Sequence, residues 1–153
     1  MMIDKEERIN KAVSLFKSGY NCSQSVFVAF ADLYDLPEEL AVKMSASFGG
    51  GIGRMRMTCG AACGMFMLAG FEKCAKEGAD REGKAANYAL VQSLADEFKK
   101  RTGSLICAQL LGLKKPEESS QPEARTEQYY AKRPCVKMVE EAARIWCEYL
   151  VTL

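Results

Sequence analysis

An uncharged, largely apolar stretch from Thr58 to Phe71 constrains the fold of this chain more than any other segment. The stretch is too short to span a bilayer, which takes about 20 consecutive apolar residues in a helix. A helix that is apolar on every side is typically buried at the centre of a protein. We therefore predict a central helix over residues 59–76, against which the other helices pack.

The segments around this stretch have the periodicity of amphipathic helices. Apolar residues recur three and four positions apart, for example at Val139, Ala143, Trp146 and Leu150. With glycine and proline as boundary signals, the predicted helices cover residues 4–18, 22–34, 37–48, 80–102, 104–110 and a last segment that begins at Pro134. Residues 112–128 are polar and contain two prolines, which indicates a surface loop.

No alternating run of apolar residues predicts a strand. The sequence therefore indicates an all-α fold, a single domain over residues 1–153 built as a bundle of six or seven helices.

Composition excludes several classes of partner. The 21 Lys and Arg residues balance the 20 Asp and Glu residues, so no basic surface of the kind that binds nucleic acid is expected. The first residues of the chain are charged and lack the apolar core of a signal peptide. We therefore predict a cytoplasmic protein that binds no nucleic acid and is not embedded in a membrane.

The chain has seven cysteines and no histidine. Cysteines in the reducing cytoplasm stay as thiols, so a framework of structural disulfides is not expected. The lack of histidine excludes Cys–His zinc sites, Cys–His nucleophilic pairs and histidine general bases. Any chemistry of this chain therefore rests on sulfur.

Four of the cysteines fall at predicted helix starts. Three of them directly follow a residue that favours the start of a helix, in the pairs Asn21–Cys22, Thr58–Cys59 and Pro134–Cys135, and Cys107 comes three residues after Ser104. A thiol in that position faces unpaired backbone N–H groups and the positive end of the helix dipole, which favour the thiolate. We expect Arg54 and Arg56 to add positive charge near Cys59 and to lower the pKa of its thiol further. The sequence thus predicts several activated sulfurs.

The second of these cysteines begins the motif Cys59-Gly60-Ala61-Ala62-Cys63-Gly64. Here the chain resembles the bacterial and archaeal C_GCAxxG_C_C family, which is defined by four spaced cysteines and a Cys-Gly-Ala-x-x-Gly element at the second. The resemblance covers almost the whole chain. The other matching segments are Asn21-Cys22-Ser23-Gln24, Gly49 through Arg54, Gly103 through Gly112 and Cys135-Val136.

The resemblance implies a helical protein with a redox role, in a family often encoded beside transporter genes, so we expect an association with a transport system. It assigns the functional centre, as catalytic residues or metal ligands, to Cys22, Cys59, Cys107 and Cys135. Cys63 falls on a variable position of the motif, but it follows Cys59 by four residues on the same helical face and is a candidate further ligand. Cys74 and Cys147 match no family cysteine, and we interpret them as ordinary residues within helices.

Small residues and one cation complete the predicted cofactor site. Glycine and alanine let neighbouring backbone approach the second cysteine closely, and arginine adds positive charge. The predicted cofactor-binding residues are Gly50, Gly51, Gly53, Arg54, Gly60, Ala61 and Gly64.

Several functions remain open at this level. The four cysteines suit an iron–sulfur cluster or another thiolate-ligated metal, and equally a thiol–disulfide couple without a cofactor. A redox function would make the chain an oxidoreductase or an electron-transfer protein. The sequence does not define its redox partner or its oligomeric state. The alternatives are a metal-binding module without redox activity and a small-molecule-binding helical protein linked to transport. A single zinc ion would require sulfurs about 3.8 Å apart, whereas a disulfide requires two Cα atoms within roughly 7 Å.

Overall fold

In a computed structural model, residues 1–114 and 119–153 are described, and they form eight α-helices and no β-strand. The helices are α1 (Lys5–Lys17), α2 (Cys22–Val28), α3 (Glu38–Ser45), α4 (Gly60–Glu72), α5 (Arg81–Thr102), α6 (Cys107–Leu110), α7 (Glu127–Lys132) and α8 (Cys135–Leu150). The prediction of an all-α fold is confirmed. Positions 115–118 of the predicted surface loop lie outside the described residues.

The central position predicted for the apolar segment is also confirmed. Eight of the thirteen residues of α4 are buried, and the helix packs against α2, α5 and α8. It ends at Glu72, earlier than predicted, because the backbone at Lys73 is extended and the Lys73 carbonyl accepts a hydrogen bond from Asn87. Cys74 therefore lies beyond the helix and is exposed, which corrects its predicted place within a helix.

The amphipathic helices α1, α5 and α8 surround this centre. In α8 the predicted apolar face is confirmed, because Val139, Ala143, Trp146 and Leu150 are all fully buried. The same face buries Cys147, whose sulfur lies 4.0 Å from the carbonyl oxygen of Lys5. Burying a large aromatic side chain such as Trp146 contributes strongly to stability, and α8 packs against α1, α2, α4 and α5.

Two predicted helices are shorter than their sequence patterns suggest. After α2 ends at Val28, the chain continues as a separate 3₁₀ helix over Ala31–Tyr34, and the carbonyl of Ala29 accepts a hydrogen bond from Arg8 of α1. After α3, residues Ala46–Phe48 form another 3₁₀ helix. In both places a tighter helical turn replaces the α-helix, which a pattern of apolar spacing does not reveal.

One helix was not predicted. Residues Glu127–Lys132 form α7, where the sequence indicated the end of a loop. The side chain of Thr126 caps this helix by accepting a hydrogen bond from the N–H of Tyr129. Over the described ranges, no helix has both the length and the apolar character needed to cross a membrane.

The contact between α2 and α4 depends on a glycine. A Cβ atom added at Gly64 would lie 2.8 Å from the carbonyl oxygen of Ser23 and 3.0 Å from the Cβ atom of Val26. These separations are shorter than normal van der Waals contacts, so any side chain at this position forces the two helices apart. The contact brings the start of α2, and with it Cys22, next to the start of α4.

Replacing this glycine should therefore destabilise the fold. We expect Gly64→Ala to lower the free energy of unfolding by about 1–3 kcal/mol, because it overpacks the α2–α4 contact. The measurement is urea unfolding followed by far-ultraviolet circular dichroism.

Gly70 provides a matched control in the same helix, since a Cβ atom added there meets nothing within 4 Å. Gly70→Ala should raise the free energy of unfolding by up to about 1 kcal/mol, through helix propensity. Equal effects of the two substitutions would show that the close α2–α4 contact does not limit stability.

Candidate functional site

The four motif cysteines line one cavity. Its volume is about 350 Å³, and Cys22, Cys59, Cys107 and Cys135 all contribute to its wall. Cys59 and Cys107 are buried, and Cys22 and Cys135 are half-buried. Sulfurs from four separate segments of the chain therefore meet at one place.

Cys22 is the first residue of α2, as predicted, and the start of this helix is rigidly held. The side chain of Asn21 accepts a hydrogen bond from the N–H of Gln24, and the side chain of Gln24 accepts one from the N–H of Asn21. This reciprocal pair is a capping box. Asn21 also donates to the carbonyl of Ala46, and Gln24 donates to that of Val42, so the cap is tied to the region of α3.

Cys59 and Cys107 are joined through their backbones. Thr58 and Ile106 form an isolated antiparallel β-bridge. The N–H of Cys59 donates to the carbonyl of Leu105 at 2.7 Å, and the N–H of Cys107 donates to that of Met57 at 2.6 Å. A bridge between two such short segments leaves no pattern in the sequence, yet it fixes the second cysteine beside the third.

The helix starts differ in detail from the predictions. Cys59 is itself the N-cap of α4, where Thr58 was expected to be. The third cysteine begins α6, and Ser104 instead accepts a hydrogen bond from the N–H of Ile106 in the turn before it. At α8 the N-cap is Pro134, so Cys135 is the first helical residue.

The glycine-rich segment before Cys59 forms a left-handed turn. Residues 50–54 all have positive φ angles, between 56° and 72°. Glycine adopts such angles without cost, whereas Ile52 and Arg54 adopt them only under strain. The turn packs directly on the third cysteine, because a Cβ atom added at Gly51 would lie 2.6 Å from the Cβ atom of Cys107.

The predicted cofactor-binding residues divide into two groups. Gly50, Gly53, Arg54 and Gly60 line the cavity. Gly51, Ala61 and Gly64 lie behind its wall, where the two glycines allow other groups to approach closely and Ala61 is fully buried. The candidate further ligand, Cys63, also lies behind the wall, and its thiol donates to the carbonyl of Thr58 at 3.8 Å.

The prediction of lowered thiol pKa values is wrong for Cys59, Cys107 and Cys135. Burial raises the pKa of the Cys59 thiol well above its ordinary value, and the neighbouring Cys22 adds to the shift, while the amides of Ala62 and Ala61 oppose it. Burial likewise raises the pKa of Cys107, and it raises that of Cys135 to about 11. Removal of water from the thiolate outweighs the attraction of the helix start.

Arg56 lies beside a different cysteine from the one predicted. Its guanidinium Nη1 is 3.7 Å from the sulfur of Cys107, and the side chain is buried. This cation opposes the rise in the pKa of Cys107. Arg54 points elsewhere in the same wall and donates to the carbonyl of Ser119 at 2.8 Å. The structure therefore does not show the predicted effect of the two arginines on the pKa of Cys59.

The outer wall of the cavity was not predicted as part of the site. Arg125 donates to the carbonyls of Phe16 and Tyr20, at 2.9 and 3.0 Å, and its guanidinium lies 4.2 Å from the centre of the Phe16 ring. These contacts fasten the segment before α7 across the cavity. Tyr129 of α7 faces the thiol of Cys135, where its hydroxyl lowers the pKa that burial raises.

The arrangement does not suit a single metal ion. Within residues 1–114 and 119–153, no group of three or more Cys, Asp or Glu side chains is gathered closely enough to hold one. The four sulfurs instead surround a space that could hold a larger group between them. The donor set itself, four thiols and no histidine, is one that both iron–sulfur proteins and structural zinc sites use.

Comparison with known proteins agrees with the motif. The profile of a family described as "Putative redox-active protein (C_GCAxxG_C_C)" matches residues 20–149. This range contains all four cavity cysteines. None of the curated proteins or solved structures compared with the chain matches it.

Gly60 of the motif makes room for the first cysteine. A Cβ atom added at Gly60 would lie 2.6 Å from the sulfur of Cys22 and 2.7 Å from the carbonyl oxygen of Phe48. We expect Gly60→Ala to displace the Cys22 thiol and to lower the free energy of unfolding by about 1–3 kcal/mol. Peptide mass spectrometry after timed anaerobic alkylation should show faster labelling of Cys22 than in the wild type.

Gly70→Ala, in the same helix, should leave the labelling of Cys22 at the wild-type rate. The buried Cys147 serves as an internal reference in each sample. An unchanged Cys22 rate in Gly60→Ala would show that the thiol does not depend on the space beside Gly60.

Proposed function

The chain belongs to this redox-active family, and on that premise we propose that it works as a redox protein through one sulfur centre formed by Cys22, Cys59, Cys107 and Cys135. The observation that carries the proposal is their meeting around one cavity. Cysteines placed only to fill the core would have no reason to converge from four segments. The other three cysteines have separate environments, in α4 behind the wall, in α8 against α1, and on the surface.

We infer further that this centre holds an iron–sulfur cluster. Buried thiols with raised pKa values are protonated at neutral pH and attack disulfides slowly. Coordination by a metal removes the thiol proton outright, so burial does not prevent it. A bound cluster would supply one-electron transfer. A group with several metal ions also suits four sulfurs spread around a cavity better than one zinc ion does.

The surrounding residues suit such a centre. The amides of Ala61 and Ala62 face the sulfur of Cys59, and a guanidinium lies beside that of Cys107. N–H groups directed at thiolate sulfur stabilise the negative charge of a thiolate-ligated cluster. On the outer side, Arg125 and Tyr129 restrict the access of water. The chain would therefore both hold and shield an anionic group.

A thiol–disulfide couple is the second candidate, and one observation favours it. The sulfur of Cys22 packs against Gly60, the residue that follows Cys59. In this reading two thiols lose two electrons and two protons to an acceptor and form one S–S bond. The pair Cys22 and Cys59 is the one that the structure favours.

The setting of this function remains part of the proposal. We propose a cytoplasmic setting, in which cysteines stay as thiols. The transport link comes from the family resemblance, and it would make the redox partner a component of a transport system.

Anaerobic reconstitution with iron and sulfide tests the proposal. We expect the wild type to bind iron and sulfide in comparable amounts and to develop a visible absorption band that bleaches on reduction. Cys59→Ser should lose the band, because it removes a ligand. Cys147→Ser changes an equally buried cysteine outside the cavity and should keep it.

The second candidate predicts a different result in the same sample. Without iron binding, controlled oxidation should remove two thiols per chain, and mass spectrometry should locate the new bond between Cys22 and Cys59. A wild-type protein that neither binds metal nor loses two cavity thiols reversibly would overturn the proposed function.

A further inference from the structure

A buried cation lies against one sulfur of the cavity. The side chain of Arg56 is only 8 % exposed, and its Nη1 donates towards the sulfur of Cys107 at 3.7 Å. Burying a guanidinium is costly unless nearby groups accept its hydrogen bonds. Its position therefore has a specific cause, and the sulfur of Cys107 is one of the acceptors that it meets.

The backbone is strained to direct this side chain inwards. Arg56 has a φ of 61°, in the left-handed region that non-glycine residues avoid. Its N–H donates to the carbonyl of Gly50 at 3.1 Å, and its own carbonyl accepts from Ala108 at 3.2 Å. The neighbours Met55 and Met57 are 56 % and 55 % exposed. The fold thus directs the arginine into the protein and leaves two apolar side chains in water.

A guanidinium in this place acts on the charge of the sulfur centre. Hydrogen bonds to cysteine sulfur and the net charge around it are among the factors that set the potential of an iron–sulfur cluster. Reduction of a cluster adds one electron to it and so places more negative charge on its thiolate sulfurs. A neighbouring cation therefore favours the reduced state.

We propose that Arg56 is a positioning residue of the sulfur centre. Through its hydrogen bond to Cys107, Arg56 raises the reduction potential of the centre. The proposal deepens the proposed function and rests on it, since it requires a redox centre that includes Cys107. It assigns unequal roles to the two arginines of the glycine-rich turn. Arg56 contacts a sulfur, whereas Arg54 donates to the backbone of Ser119.

The test measures the midpoint potential of the centre by spectroelectrochemical titration of the intact chain. In Arg56→Gln we expect the equilibrium constant for reduction to fall about tenfold, which lowers the potential of a one-electron couple by about 59 mV. Arg56→Lys keeps the positive charge and should restore at least half of the difference. A merely structural role of Arg56 would not produce this rescue by charge.

Two further variants make the comparison specific. Arg54→Gln removes a cation from the same strained turn and should shift the potential less than Arg56→Gln does. If Arg56→Gln does not fold, Arg56→Met gives a second neutral variant, which carries no polar group of its own into the buried position. Far-ultraviolet circular dichroism checks the fold of each variant.

A second measurement separates this proposal from the proposed function. In the reduced, metal-free protein, alkylation of Cys107 should be about tenfold slower in the neutral Arg56 variants, with Cys135 as the internal reference. If the wild type shows no redox couple, the proposed function fails, and the alkylation rates still decide whether Arg56 acts on Cys107. The proposal is overturned if the neutral variants keep the reduction potential of the wild type. Where the wild type shows no redox couple, it is overturned if they keep the wild-type alkylation rate of Cys107.

Discussion

The close contact between the start of α2 and the start of α4 is the constraint on which the sulfur site depends. Gly60 and Gly64 lie one helical turn apart on α4, and a Cβ atom at either would collide with α2. Gly49 makes a similar contact with the side chain of Asn21, which caps α2. Three glycines from two segments thus allow Cys22 to lie beside the second cysteine. A side chain at any of these positions would occupy the space that the contact needs.

Burial decides the electrostatics of the thiols. A helix terminus stabilises a charge by up to about 2 kcal/mol in favourable geometry, which corresponds to less than two pKa units. Full burial can shift a pKa by three to five units in the opposite direction. The structure follows the larger effect, since the pKa values of Cys59, Cys107 and Cys135 are raised. The raised pKa values therefore agree better with the proposed role of these cysteines as cluster ligands than with a role as free nucleophiles.

The sequence predicts the helices well, because they leave local signals, and the four cysteines that it singles out all line one cavity. The uncharged stretch identifies α4, and the residues before Cys22 identify its cap. The contact of Arg56 with Cys107 has no local signal, since it arises from a left-handed backbone and a bridge between distant segments. The same holds for Arg125, whose two carbonyl acceptors lie more than a hundred residues earlier. Such contacts are set by tertiary packing alone.

The left-handed turn shows where the fold gives up stability. Ile52, Arg54 and Arg56 each adopt a positive φ, at a cost of about 1–3 kcal/mol apiece. Backbone hydrogen bonds hold the turn in place, from Gly53 to Ser47 and from Met57 to Gly51, both at 2.8 Å. Strain of this kind persists only where the surrounding structure enforces it. Because residues 50–54 contact the third cysteine and Arg56 places a cation beside its sulfur, the energy stored in this segment serves the geometry of the proposed sulfur centre rather than the stability of the bundle.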